Sequence, residues 1–343
     1  MYKGILYILF IIIGFVFPKS KFVRILILIF MLIAAIWAIG NVDYLHYEYN
    51  YNLIKIGGIN QNFEIGFQYL NQLGVWAGLE FKEFYVVINT ILFIFVNMLI
   101  SRYSKKPNKI LSLYLIFPFL TDLVQFRNFI SMVFIIYAVS YLFNSKTSYI
   151  KFIILILLAS TFHITSLFYL LLIFTKFIDK RVLLIGATVV AITIFVLNDQ
   201  IIQILSGFID VSKIGYFHSE VSSTTKLLLI LYVIIFGYAL SKLKKRNKLE
   251  HFIDSKADLD VIIGVNIVIM ISLAFVMRDL NFIRIFRNLM LITYLVIPPL
   301  LLNDYKKIRL SLSSLLLHIL IIIASIWWVL LAYTNNGPIS IIS

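Results

Sequence analysis

Residues 157 to 171 read LLASTFHITSLFYLL and place His163 inside an otherwise apolar run, flanked by Thr161, Thr165 and Ser166. Imidazole exchanges a proton near neutral pH, so its chemistry in such a setting is that of a general base or acid. An ionisable group in an apolar run is costly and is a functional candidate by default; the alternative is a histidine bonded to a neighbouring helix through Thr or Ser. Arginines form a second group: Arg127 opens an apolar run in DLVQFRNF, and Arg278, Arg284 and Arg287 fall in MRDLNFIRIFRN. The planar, permanently charged guanidinium suits bidentate clamping of a phosphate or diphosphate, and Arg284 and Arg287 share a face if their segment is helical. The competing reading pairs these arginines with Asp122 and Asp279, or lets them snorkel to an interface.

Carboxylates complete the reactive set. Asp43 and Glu64 are the acids best placed to serve as a base or to orient one, while Glu48, Glu80 and Glu83 read as solvated. Asp43 and Glu64 lie in NVDYLHYEYNYNLIKIGGINQNFEIGFQYLNQLGVWAGLEFKEF, a stretch dense in tyrosine, asparagine, glutamine and acids. Aromatic faces cover the apolar side of a sugar while amides and carboxylates bond its hydroxyls, although an interfacial tyrosine belt has a similar composition. Tyr44 and Tyr47 here, with Asn128 beside Arg127 and Ser166 beside His163, are the sugar-binding candidates. Residues 63–75 read as an amphipathic helix lying on a membrane, with Phe63, Phe67, Leu70 and Leu73 on one face.

The elements that carry these residues are set by composition. The chain has 343 residues, 62% hydrophobic and 13% charged, with a mean hydropathy of +0.99. It reads as one all-α membrane domain over residues 1–343, with no room for a sizeable soluble domain. Apolar windows fall near 2–17, 22–39, 84–100, 109–125, 128–143, 181–198, 225–241, 259–277, 287–303 and 311–332. Two polar loops, 40–83 and 199–224, separate them, and a further apolar stretch, 150–178, holds His163. The count comes to about 11–12 transmembrane or half-spanning helices. The opening run resembles a signal peptide, but Phe17, Pro18 and Lys19 stand where small residues mark cleavage, so it counts as the first span.

Lysine and arginine collect on the cytoplasmic side of membrane proteins, which accounts for the net charge of +14. No basic loop is interleaved with stacking aromatics, so nucleic acid is not the partner. The absence of cysteine excludes disulfides and thiolate chemistry. Basic clusters at Lys146 with Lys151, and at Lys176 with Lys180 and Arg181, put both ends of the 150–178 stretch on the same side. The chain must therefore enter and return between them. Two helices of about twelve residues reach only about 18 Å each, short of a full crossing. The expectation is a helical hairpin broken around Ala159 to His163, with His163 at the floor of an outward-facing cavity lined where irregular backbone is tolerated. Loop 199–224, with His218, reads as a cover over that cavity.

No Walker A loop, GxGxxG, HExxH, GxSxG or EF-hand spacing occurs, so ATP hydrolysis, dinucleotide chemistry and zinc peptidase work lack support. Any chemistry is metal-free or uses a metal the sequence does not show. The order NVDYLHYEYNY, FEIGFQYLNQL, DLVQFRNFISMVFIIYAVSYL, KFIILILLASTFHITSLFYLLLIF and FIRIFRNLMLITYLVIPPLL resembles the EpsG-like family of Wzy-type polysaccharide repeat-unit polymerases. The likeness is sharpest from Arg127 to Phe174; Asn128 stands where the family more often has glutamine. The resemblance implies a membrane glycosyltransferase without a cofactor, acting at the outer face of the bacterial cytoplasmic membrane. It would join oligosaccharide units carried on undecaprenyl diphosphate in capsule or exopolysaccharide synthesis, alongside a chain-length regulator and a flippase. Rival classes are a lipid-linked oligosaccharide transporter, a ligase or single-sugar transferase using the same carrier, and a membrane acyltransferase. A transporter would show internal repeats and a second broken segment, and an acyltransferase an acidic or asparagine partner next to the histidine.

Overall fold

The computed structural model describes residues 2–58, 60, 63–143, 148–197, 200, 258–276, 282–295 and 341, and every regular element among them is helical. The spans expected at 225–241 and 311–332, Arg278, and nearly all of loop 199–224 lie outside the described residues.

Helices α1 (Tyr2–Val16) and α2 (Lys21–Trp37) fill the first two apolar windows, the second started by Ser20, whose side chain accepts from the Val23 amide. A corner then turns the chain by 77° into α3 (Val42–Lys55). Gly40 takes φ +88 at this corner, a conformation that costs a residue without Cβ little. Asn41 caps α3 by accepting from the Tyr44 amide at 3.0 Å. The stretch 40–83 is thus mostly helix, with α4 (Ile65–Trp76) packed on α3. The buried residues of α4 are Phe67, Asn71 and Gly74, while Leu73 is 55% exposed. Leu73 does not share one face with Phe67 as expected, because the face turned to α3 follows the four- and three-residue steps from Phe67 to Asn71 and Gly74.

Helix α5 (Phe81–Tyr103) is, among the described residues, the single unbroken helix long and apolar enough to cross a membrane; joining α2 and α3 across their corner gives a second. The window 109–125 is split into α6 (Pro107–Ile116) and α7 (Phe119–Val124), where Pro118 lacks the amide a continuous helix needs. Helix α8 (Phe126–Tyr141) packs along α9 (Tyr149–Ser160). After a break at Thr161 to His163 comes a 3-10 helix, Ile164–Lys176, followed by α10 (Lys180–Val196) and α11 (Leu259–Val276). Two short helices, α12 (Ile283–Arg287) and α13 (Met290–Tyr294), end the described core.

The stretch 150–178 is a hairpin. The ring of Tyr149, at the start of α9, meets that of Phe177, just past the 3-10 helix, at 5.0 Å, so the two limbs return to a common base. Most buried apolar side chains, from Tyr7 to Leu295, join one cluster, and outward faces of α1, α2 and α10 are left apolar and exposed.

Candidate active site

The hairpin tip is held by α4. The Gly66 amide donates to the Thr161 carbonyl at 2.8 Å, and a Cβ at Gly66 would fall 2.2 Å from Thr161 Oγ1. Only glycine permits that approach. It brings Glu64, the residue preceding α4, onto the break: Glu64 Oε1 accepts from the Ile164 amide at 3.2 Å and stands 3.4 Å from His163 Nδ1. The other carboxylate oxygen pairs with Arg127 Nη1, whose guanidinium also lies over the Phe63 ring at 4.5 Å. Gln68 steadies this segment by donating to the carbonyls of Asn60 and Phe63 at 2.9 and 2.8 Å.

On its far side the imidazole meets α12, with Arg284 Nη1 3.0 Å from His163 Nε2. Two cross-links fix α12 there. The Tyr169 hydroxyl donates to the Ile285 carbonyl at 2.8 Å, and Asn128 and Asn288 exchange amide hydrogen bonds at 2.8 and 3.0 Å. The result is a chain of charge, Arg127 to Glu64 to His163 to Arg284, drawn from four separate elements.

This chain borders a cavity of about 600 Å³. Arg127, Asn128, His163 and Arg284 contribute one part of its wall, and Asp43, His46, Tyr47 and Tyr49 from α3 another. His163 itself is 6% exposed. Burial dominates at Glu64 and opposes its charge, but the hydrogen bond to His163 and the charge of Arg127 outweigh it and hold the carboxyl at about 2. Glu64 is therefore ionised and suited to orient the imidazole rather than to take up a proton. Asp43 differs: burial lifts its carboxyl above the usual range, opposed by the charges of His46, Arg284 and Arg127, which makes it the more basic of the two acids.

A family model matches residues 20–340, nearly the whole chain, and its description is the EpsG family. The chain belongs to the EpsG family. EpsG-like proteins are Wzy-type polymerases, membrane-associated and glycosyl-transferring, so a coarse role in polysaccharide biosynthesis comes with membership. No curated protein matches the chain, and no solved structure does.

Within this EpsG-family chain, His163, Glu64, Arg127, Arg284, Asp43, Tyr47 and Asn128 are gathered at or beside the cavity. Arg287 is not. Its side chain is 1% exposed, with Nε 3.3 Å from Asp122 Oδ1 and Nη2 donating to Gln125 Oε1 at 2.7 Å. The expected diphosphate ligand is instead a buried partner of Asp122, which also accepts from the Tyr114 hydroxyl at 2.9 Å. A guanidinium enclosed without a counter-charge would be prohibitive, so the nearest buried acid decides its direction. Tyr44 and Ser166 also miss the cavity. Tyr44 packs against Phe81 and Tyr85 with its hydroxyl 3.5 Å from Glu48, and Ser166 bonds Ser131 in the core. Asn128 reaches the cavity with both amide atoms engaged by Asn288, which makes it a clamp between α8 and α12.

Sequence reasoning missed His46, Tyr49 and Gln125 as lining residues. The signal for His46 was its three-residue spacing from Asp43, legible once that stretch is read as a helix capped by Asn41. Gln125 and Tyr49 carried no comparable signal.

Proposed function

We propose that this protein spans a bacterial cytoplasmic membrane and polymerises oligosaccharide repeat units carried on undecaprenyl diphosphate, working at the outer face in capsule or exopolysaccharide synthesis. The observation that carries this reading is His163 held between Glu64 and Arg284 on a cavity that Arg127 also enters. Two guanidinium groups supply an anion clamp, and a carboxylate-oriented imidazole supplies a base.

In the reaction, the acceptor hydroxyl attacks the anomeric carbon of the donor chain. The bond from that carbon to the diphosphate oxygen breaks, a glycosidic bond forms, and the carrier diphosphate leaves with the electron pair. The hydroxyl proton passes to His163 Nε2. Glu64, accepting from Nδ1–H, fixes the ring and stabilises the imidazolium that results. Arg127 and Arg284 meet the charge that builds on the leaving oxygen. Asp43, which also lines the cavity and is made more basic by burial, is the second group able to receive the proton.

The test is the glycolipid profile of a strain carrying His163→Ala. Single repeat units stalled on the carrier, with the protein still inserted, are the expected result. A normal ladder of repeat numbers would remove His163 from catalysis, and a wild-type enzyme that makes only single additions would identify a ligase or transferase instead.

A further inference from the structure

The hairpin tip carries two exposed apolar side chains directly beside the reactive groups. Ile65 follows Glu64 and Ile164 follows His163, and they are 61% and 55% exposed. The Ile164 amide donates to Glu64 Oε1 at 3.2 Å and the Gly66 amide to the Thr161 carbonyl, so both isoleucines stand within one residue of the same Glu64–His163 contact. The charged groups of the cavity are thus edged by hydrocarbon.

Two exposed apolar faces meet at this edge. One belongs to α4, which has no charged residue and whose exposed positions, Ile65, Tyr69, Leu73 and Trp76, are all apolar or aromatic and follow helical steps of four, four and three. Tyrosine and tryptophan favour the boundary between membrane and water, so in a bilayer this face sets Glu64, and the tip it holds, at headgroup depth. The other face runs down the hairpin from the tip. Beyond Lys151 in its first turn, α9 exposes only Ile154, Leu157 and Leu158, which share one side at helical spacing. On the second limb, three residues per turn put Ser166, Tyr169, Leu172 and Thr175 in one buried row. The neighbouring row turns outward, beginning with Ile164 and Leu167, and Phe174 is exposed nearer the base.

We propose that this hairpin face seats the isoprenoid chain of the donor's carrier, with the diphosphate at its end reaching Arg127 and Arg284 across the edge formed by Ile65 and Ile164. The proposal rests on the reading that the cavity takes a diphosphate-linked donor. The fit is to an amphiphile whose anionic head lies at headgroup depth and whose long tail descends from there into hydrocarbon. A membrane phospholipid shares that outline, but its phosphodiester offers a single phosphate to two guanidinium groups, whereas a diphosphate offers one to each.

Bilayer hydrocarbon is as apolar as these side chains, so the face contributes packing and no hydrophobic driving force. The strength of binding comes from the head, and the face decides the direction from which the head arrives. Tail and glycan leave the diphosphate at opposite ends. A tail on the hairpin therefore places the reacting anomeric carbon on the cavity side, where Asp43, His46 and His163 contribute to the wall.

The experiment uses the full chain in nanodiscs of phosphatidylglycerol and phosphatidylethanolamine. The photoreactive p-benzoylphenylalanine replaces Ile164 or Phe174 on the hairpin, or Phe195, an exposed residue of α10, as the control for ordinary lipid contact. Phe174 and Phe195 are near-isosteric sites for that residue, so the comparison does not depend on the variant at the tip folding. The probes are undecaprenyl diphosphate and undecaprenol, and binding of radiolabelled undecaprenyl diphosphate to the unaltered chain is measured separately. Undecaprenyl diphosphate should be cross-linked several-fold more at the two hairpin positions than at Phe195, relative to phospholipid, and undecaprenol should show no such enrichment. Undecaprenyl diphosphate that binds the unaltered chain yet labels the hairpin no more than the control overturns the seat and leaves the cavity's role in diphosphate binding intact. Equal enrichment of undecaprenol overturns the link between this face and the arginines. Cross-linking to a second copy of the chain would make the face an interface between copies, and no binding of undecaprenyl diphosphate at all overturns both the seat and the reading beneath it.

Discussion

Glu64→Gln removes one charge from the middle of the Arg127, Glu64, His163, Arg284 chain while keeping the side chain's shape. The carboxylate pairs with Arg127, faces Nδ1 of His163 at 3.4 Å and accepts from the Ile164 amide at 3.2 Å. All three partners donate, and an ionised carboxylate satisfies them together. An amide cannot, because whichever way it is turned its NH2 meets either the guanidinium or the two N–H groups of the tip. The carboxyl is held at about 2 in the fold. Against an ordinary value near 4.3, this corresponds to on the order of 3 kcal/mol favouring the charged form. If that energy also fixes the ring and stabilises the imidazolium, its loss lowers kcat by roughly a hundredfold. The assay is polymer ladder formation from purified lipid-linked repeat units by the nanodisc-embedded enzyme. The same stabilisation should appear in thermal unfolding. A carboxyl depressed on folding contributes stability that is fully present above its unfolded value and is lost as pH falls towards its folded one. The wild type should therefore melt higher than Glu64→Gln at neutral pH, and the gap should close between about pH 4.3 and pH 2. A variant that polymerises within about threefold of wild type would show that Glu64 does not orient the base, and the chain of charge would lose its catalytic meaning.

Three further perturbations separate the parts of the site. Gly66→Ala places a methyl 2.2 Å from Thr161 Oγ1 and 2.8 Å from the Thr161 carbonyl oxygen, so α4 must withdraw from the tip; ladder formation should fall about tenfold or more while the protein stays inserted, as misplaced catalytic groups lose their geometry. Arg287→Ala strands buried Asp122 and should cost roughly 3–5 kcal/mol in thermal or denaturant unfolding, whereas Arg287→Met with Asp122→Leu should recover most of it. Phe63→Leu removes the ring beneath Arg127 and should weaken the donor's apparent affinity by about 0.5–2 kcal/mol, read as a raised KM with kcat little changed.

The sequence made the hairpin legible because charge asymmetry acts over long range: basic clusters at both ends of 150–178 demand a return, and the Tyr149–Phe177 contact closes it. His163, Arg127 and Arg284 stood out for a related reason, being ionisable groups where apolar ones are the rule. Direction was another matter. Arg284 and Arg287 sit three residues apart, but α12 is only five residues long, and each arginine turned to a different partner supplied by a distant element, His163 for one and Asp122 for the other. Ser166 and Tyr44 were equally undecidable, since a hydroxyl beside a catalytic residue in sequence faces wherever its own backbone turns it. Pairings across the fold of this kind carry no local period.

The broken backbone and the reactive groups are two aspects of one arrangement. Interrupting a helix at Thr161 to His163 leaves backbone donors and acceptors that an apolar surrounding cannot satisfy. The Thr161 carbonyl is taken by the Gly66 amide and the Ile164 amide by the Glu64 carboxylate, so a single short segment, residues 64 to 66, repairs both sides of the break. Glu64 then brings its negative charge to the one place where an imidazole emerges from the helix, and that charge calls for Arg127 as its counter-ion. A straight α-helix through residue 163 would need no such repair, and would offer no reason for a carboxylate or an arginine to come near. On this argument the break is what recruits the charges, and substitutions that restore helix at the tip should release Glu64 and Arg127 even though they touch neither.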